Sequence, residues 1–281
     1  MPPCKTLEFT SPSLSYGSAS VKMQILPRDP NREPRVSWNV GGKLLYRTDH
    51  LKLFDSLDFK VRRTTIYRGE SVALATPEHL APVFLLWPEK SFDVVVDDFE
   101  IPLMDGSALP FFLALRREAG VPEEIRFYDA PVNREWDLLN STGEIYGHVR
   151  IEPSETFEVE YRLDRPDVPG GFKSCAALSV YAPEDLYGVF QARTFILEKD
   201  YEQACRAGLL AGATESCGLL VKTPADKSLY RVSEEPAMHK ILDLIGDLSF
   251  ARPALPKVRI EILNGGHACH REILKQVLLK V

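Results

Sequence analysis

The chain has no apolar run long enough to cross a bilayer. Its apolar runs, such as Ala81 to Trp87, fall far short of the ~20 residues that a spanning helix needs. It has no basic excess either. Thirty-four Lys and Arg stand against 40 Asp and Glu, a net charge of −6, which argues against a nucleic-acid binder with a basic face. Anionic small molecules remain accessible only through a few well-placed cations. Cysteines number five (Cys4, Cys175, Cys205, Cys217 and Cys269). An odd count without CxxC spacing suggests neither a disulfide framework nor a zinc ribbon. The opening stretch MPPCKTLEFTSPSLSYG lacks the apolar core of a signal peptide. The expectation is a reduced, cytoplasmic, soluble protein that is not integral to a membrane.

What is present fits a globular protein. Hydrophobic residues make up 44% and charged residues 26% of 281 positions, enough for a packed core and for two domains. The 21 prolines read as strand ends and turns. Alternating or apolar runs predict strands at 21–26, 59–64, 92–96, 149–152, 157–162, 176–181 and 257–263. A helix is predicted from Thr76, with Thr76 as N-cap and Pro77 at its first position. The turn 103–109 opens a helix through Phe111, Phe112 and Leu115, and Ser107 reads as its N-cap. Further helices are predicted at 200–207, at 238–248, and from the turn at 264–268 to Lys280. The polar, proline-bearing segment 120–143 places a boundary between an N-terminal α+β domain, 1–125, and a C-terminal one, 126–281.

The two halves resemble each other. His79 and His239 differ by 160 positions (239 minus 79), as do Leu103 and Leu263, Gly106 and Gly266, and Ala108 and Ala268. This register implies an α+β fold of two similar, duplicated domains with a site at their interface, where His79 meets His239.

The stretch MHKILDLIGDL, 238–248, carries the chemistry. Apolar residues at 238, 241, 242, 245 and 248 form the stripe of an amphipathic helix. His239, Asp243 and Asp247 recur every four residues along its edge, one above the other. A hydrolytic zinc site takes three N/O ligands and leaves one position open. His239 and Asp243 supply two, and His79 supplies the third from the other half. Glu78, beside His79, is the natural base for an activated water. His267, behind two glycines at a helix start, is placed as a general acid. His270, three residues further on, is expected to be exposed on the same helix.

These motifs, ATPEHL (75–80), EIPLMDGSALPF (100–111), ARTF (192–195), HKILDLIGDL (239–248) and GGHA (265–268), resemble the zinc-dependent UDP-3-O-acyl-N-acetylglucosamine deacetylase family, the amidase of the lipid A pathway. The similarity runs from about Glu70 to the C-terminus. It implies Zn2+ on His79, His239 and Asp243, Glu78 as base and His267 as acid. It further implies Thr194 near a developing oxyanion, Lys240 near the anionic part of the substrate, and Asp247 supporting the acid histidine. The insert at 193–221, with Phe195, Leu209 and Leu210, is implied to hold an acyl chain.

Three departures stand out. Residues 14–22 hold no histidine where the family has one in a Gly-rich stretch. Asn264 stands where the family has lysine. Pro82 falls inside the ligand-bearing segment, where it removes a backbone donor. The first two remove polar and cationic groups from the surroundings of a nucleotide diphosphate. The leading expectation is therefore a zinc-dependent deacetylase acting on an N-acetylated amino sugar, UDP-3-O-acyl-N-acetylglucosamine or a close relative. A same-mechanism deacetylase on a non-nucleotide N-acyl substrate is the second reading, and a non-catalytic binding homologue the third.

Overall fold

The computed structural model describes residues 5–12, 20–28, 34–48, 58–60, 64–68, 71–206 and 216–278. In chain order the first half contributes β1 (Leu7–Pro12), β2 (Ser20–Arg28), β3 (Val36–Val40), β4 (Lys43–Arg47), β5 (Asp58–Lys60), β6 (Thr65–Arg68), β7 (Ser71–Ala75), β8 (Ser91–Val96) and helix α1 (Leu109–Ala119). The second contributes β9 (Phe127–Asp129), β10 (Arg134–Leu139), β11 (Ile145–Pro153), β12 (Phe157–Arg165), β13 (Phe172–Val180) and β14 (Phe195–Leu197). It continues through α2 (Glu198–Arg206), β15 (Leu219–Val221), α3 (Glu235–Ala251), β16 (Leu255–Leu263) and α4 (His267–Leu278).

The mixed α+β architecture agrees with the sequence reading, and the duplication is visible in the topology. The first main sheet runs β1-β2-β8-β3-β4 and the second β10-β11-β16-β12-β13. In each, the central strand is antiparallel to one neighbour and parallel to the other: β8 to β2 and β3, β16 to β11 and β12. The alternating strands bury one face, as Val21, Met23 and Ile25 do on β2 and Val159, Tyr161 and Leu163 on β12. A left-handed residue recurs in matching register, Met104 and Asn264, both at φ 54° and 264 minus 104, or 160, positions apart. Each half then carries its own addition. The first has the three-stranded sheet β5-β6-β7, and the second has the parallel pair β14 and β15 with α2 between them. The polar segment predicted as a boundary is itself structured, since β9 pairs with β16.

Two local expectations are corrected. The segment after Thr76 is not an α-helix but two 3-10 turns, Pro77–His79 and Ala81–Leu86. Thr76 lies at φ 62° and makes no side-chain cap bond. The cause is Pro82: an α-helix would need its N–H to reach the Glu78 carbonyl, and proline has none. Helix α3 is not amphipathic in its surroundings. Fifteen of its 17 residues are buried, all but Met238 and Lys240, because it lies between β12 and β13 on one side and the 3-10 turns and α4 on others. Its C-terminal end belongs to the first half's core. Phe250 packs on Trp38 at 4.9 Å and on Tyr46 at 5.5 Å between ring centroids, and the Tyr46 hydroxyl donates to the Ala251 carbonyl at 2.6 Å. Among the described residues, no helix is long and apolar enough to cross a membrane.

Gly246 sets how closely α3 approaches the first 3-10 turn. A Cβ there would stand 1.9 Å from the Glu78 carbonyl oxygen and under 3 Å from two more Glu78 backbone atoms. Backbone cannot rotate away, so Gly246→Ala should push the 77–79 turn off the helix. We expect a loss of about 1–3 kcal/mol in stability together with weakened metal binding, measured by thermal unfolding with and without added metal. Unchanged metal affinity would show that this contact does not position His79.

Candidate metal centre

Helix α3 presents His239 and Asp243 on one face, one turn apart, and the Pro77–His79 turn brings His79 against them. The ligand atoms of these three lie within 4.8 Å of one another, and all three residues are buried. Asp243 Oδ1 is 3.2 Å from His239 Nε2 and 3.5 Å from His79 Nε2. His239 Nδ1 lies 3.0 Å from the Ala192 carbonyl and must donate to it, which leaves Nε2 as a lone pair aimed at the carboxylate. Asp243 Oδ1 has no hydrogen-bond partner among the described residues. A nitrogen lone pair turned toward a buried, unpartnered carboxylate oxygen is repulsive unless a cation lies between them. The donor set of two imidazoles and one carboxylate fits a divalent metal. Burial alone would raise the Asp243 pKa, but it is held well below the carboxylate range, with the Lys240 ammonium 2.7 Å from Oδ2, so this carboxylate is anionic.

Glu78 sits at the edge of this group. Its Oε1 accepts from the Thr64 N–H at 3.1 Å, and its buried Oε2 has no partner. One oxygen is anchored and the other is free. Burial raises its pKa above 4.5, only partly offset by His267 and His79.

A second cluster faces the first. His267, at the start of α4, places Nε2 3.8 Å from Glu78 Oε1 and 3.7 Å from Asp243 Oδ2. Its Nδ1 meets Asp247 Oδ2 at 2.9 Å. Burial by itself would lower its pKa; the Asp247 carboxylate overrides this and carries it up to about 9. The corresponding effect on Asp247 is a pKa of about 2, despite its burial. His270, expected to be exposed, is fully buried and binds the same Asp247 Oδ2 at 2.8 Å. The expectation failed because α4 is not a surface helix at this turn: Tyr161 of β12 and Asp247 of α3 close over it. Asp247, His267 and His270 also satisfy a metal-ligand spacing. Here, however, both imidazole nitrogens sit on the carboxylate at hydrogen-bond distance, so this cluster is already satisfied without a cation.

The rim is formed by the ARTF segment. Arg193 bonds the fully buried Glu235 through its backbone and its side chain, pinning the segment to the first turn of α3. The half-buried Phe195 ring stands perpendicular to His239 at 6.4 Å. Thr194 is held by its N–H on the Gly106 carbonyl at 2.6 Å. Lys240, placed by the resemblance near an anionic substrate group, has Nζ 2.7 Å from Asp243 Oδ2 and 5.8 Å from the Phe195 ring centroid. Leu209 and Leu210 lie outside the described residues, as do residues 14–19. Asn264 is committed to the backbone: Oδ1 accepts from the Asp164 N–H at 2.7 Å and Nδ2 donates to the Tyr146 carbonyl at 2.9 Å.

Thr64 was missed from the sequence. Its N–H holds Glu78 and its hydroxyl donates to Asp247 Oδ1, so one residue positions groups from both halves. It belongs to none of the motifs, and nothing local distinguishes it.

The family model described as "LpxC: UDP-3-O-acyl N-acetylglycosamine deacetylase" matches residues 6–279. The chain belongs to this family. Among curated LpxC-family proteins, it is 30% identical over 225 residues to the UDP-3-O-acyl-N-acetylglucosamine deacetylase of Solibacter usitatus, covering 78% of this chain and 72% of that one. It is 31% identical over 255 residues to the deacetylase of Anaeromyxobacter dehalogenans, with 86% and 75% covered. The Helicobacter hepaticus deacetylase is 28% identical over 273 residues, 92% of this chain and 83% of its own. Every residue of the candidate centre lies within the matched span of the LpxC family model.

Proposed function

We propose that this chain is a zinc-dependent amidohydrolase that removes the acetyl group from UDP-3-O-acyl-N-acetylglucosamine or a close relative. The observation that carries the reading is the convergence of His79, His239 and Asp243 on an unpartnered carboxylate oxygen, with Glu78 and His267 beside them. His79, His239 and Asp243 would hold the metal. When bound, it supplies Lewis-acid polarisation of the amide carbonyl and makes water acidic enough to ionise near neutral pH.

The chain's own groups then divide the proton work. Glu78 Oε2 takes a proton from the attacking water while Thr64 keeps Oε1 in place. The carbonyl carbon gains the water oxygen, and Thr194, on the ARTF segment, is assigned to the oxyanion as the resemblance implies. His267 Nε2 delivers a proton to the amide nitrogen as the C–N bond breaks, giving acetate and a free amine. Asp247 keeps His267 charged for that step. Lys240 and Phe195 line the approach, and the 193–221 insert, including Leu209 and Leu210, is assigned to the acyl chain.

The test is turnover of UDP-3-O-acyl-N-acetylglucosamine by purified protein, read as acetate release, with zinc and after chelation. No release with zinc restored would sink the reading. A second reading, a substrate without the nucleotide, is favoured by the commitment of Asn264 to the backbone. It predicts weak binding when UDP alone is titrated in and comparable turnover of the sugar lacking UDP. Tight UDP binding would reject it.

The rate should pass through a maximum with pH. Glu78 must be ionised, so the acid limb lies above the ordinary carboxylate value, in keeping with its raised pKa. His267 must be protonated, so the rate falls as pH rises through about 9. His267→Ala should keep the metal, lose about 10²–10⁴-fold in kcat and lose the alkaline limb. A variant that retains the limb would show that another group provides the proton.

A further inference from the structure

His270 takes no part in the chemistry above, yet it is as buried as any residue in the protein, at 0% exposure. The protons around it can be placed. A carboxylate only accepts, so the His267 and His270 Nδ1 atoms, 2.9 and 2.8 Å from Asp247 Oδ2, both donate to it. Burial disfavours the charged form of His270. Its Nε2, 3.1 Å from the Tyr161 hydroxyl, is then an acceptor, and the phenol donates. Tyr161 is itself fully buried on β12. Gly265 leaves room for it, since a Cβ there would stand 2.9 Å from the phenol oxygen. The result is a directed chain from Tyr161 through His270 to Asp247, with Thr64 donating to the other carboxylate oxygen.

The value of this chain lies in what it fixes. His267 is the group that must turn Nε2 toward Glu78 and Asp243. Its orientation depends on where Asp247 Oδ2 stands, 2.9 Å from Nδ1, together with the Thr64 hydroxyl at 3.1 Å from the same nitrogen. Without His270, that oxygen would be held only by the imidazole it is meant to hold. We propose that His270, anchored by Tyr161, is a positioning residue that fixes Asp247 and through it the direction of His267. This rests on the reading of His267 as proton donor.

The experiment compares His270→Phe, which keeps the bulk and removes both hydrogen bonds, with His270→Asn, whose amide nitrogen can replace Nδ1 as donor. In the zinc-loaded full chain, His270→Phe should lose about 10- to 100-fold in kcat, with KM within about twofold and metal content unchanged. His270→Asn should recover most of that loss. The second readout is the downfield proton resonance of His267 Nδ1–H, followed by NMR in the metal-free protein. It should shift or broaden in His270→Phe and return in His270→Asn. Wild-type kcat and an unmoved resonance in His270→Phe would overturn the proposal. So would a failure of His270→Asn to recover either signal. Should His270→Phe not fold, Tyr161→Phe carries the same test: it leaves the imidazole but removes its anchor, and an unchanged resonance would overturn the proposal. If the wild-type protein releases no acetate, the functional reading falls alone, because the resonance is measured without turnover.

Discussion

Replacing Glu78 with Gln is expected to leave the metal bound and to cut kcat by about 10²–10⁴-fold, the usual contribution of a positioned base. Gln has the same shape. Its carbonyl oxygen can take the Thr64 N–H now received by Oε1, which turns the amide nitrogen to the position of the unpartnered Oε2. That is where a proton acceptor is needed, and an amide nitrogen cannot serve. The fold should tolerate the change, since burial already favours the neutral form of Glu78. Metal should stay, because Glu78 is not one of the three residues whose ligand atoms converge. Elemental analysis and steady-state kinetics on the same preparation decide the matter. Near-wild-type turnover with metal bound would show that the proton goes elsewhere.

Asp243→Ala should have the larger effect, abolishing stoichiometric metal and reducing acetate release to background. It removes the oxygen on which both His79 Nε2 and His239 Nε2 converge and, through Oδ2, the partner of Lys240. Lys240 is partly exposed and can turn to water. The stability signature separates a lost ligand from a damaged fold. A ligand that binds only the native state stabilises it by RT ln(1 + [L]/Kd). Zinc should therefore raise the wild-type unfolding temperature and chelation should lower it, while neither moves Asp243→Ala. A variant that still responds to zinc would place the metal on another donor set.

Much of this arrangement was legible along the chain. His239 and Asp243 are neighbours on one helix turn, and the 160-residue register pointed to His79 as their companion. Position suggested Glu78 and His267, one beside a candidate ligand and the other behind Gly265 and Gly266, only in combination with the other motifs, and the fold brings both beside the centre. The runs at 21–26, 149–152, 157–162 and 257–263 fall on β2, β11, β12 and β16 because each sheet buries one face, whereas β1, β3, β4 and β10 were not read from the sequence. The errors fell where distant residues intervene. The segment after Thr76 carries a helix-start pattern, but the missing N–H of Pro82 and the approach of Gly246 to the Glu78 carbonyl turn it into 3-10 turns. His270 reads as a surface residue on a helix whose outer face cannot be identified until Tyr161 and Asp247 cover it. Thr64 carries no motif and gains its role only by meeting Glu78 and Asp247.

The sequence by itself determined the residue types, their helical and strand periods, and the duplication, because those depend on contacts within a few positions or on a repeated register. Tertiary structure decided which imidazole nitrogen is free, which carboxylate oxygen is unpartnered, and why one His/Asp cluster is left open to a cation while the other closes on itself. Those properties belong to hydrogen bonds between residues far apart in the chain, such as His239 with Ala192, Thr64 with Asp247 and Tyr161 with His270. A lone pair is left available or used up only when the partners that compete for it have been brought together.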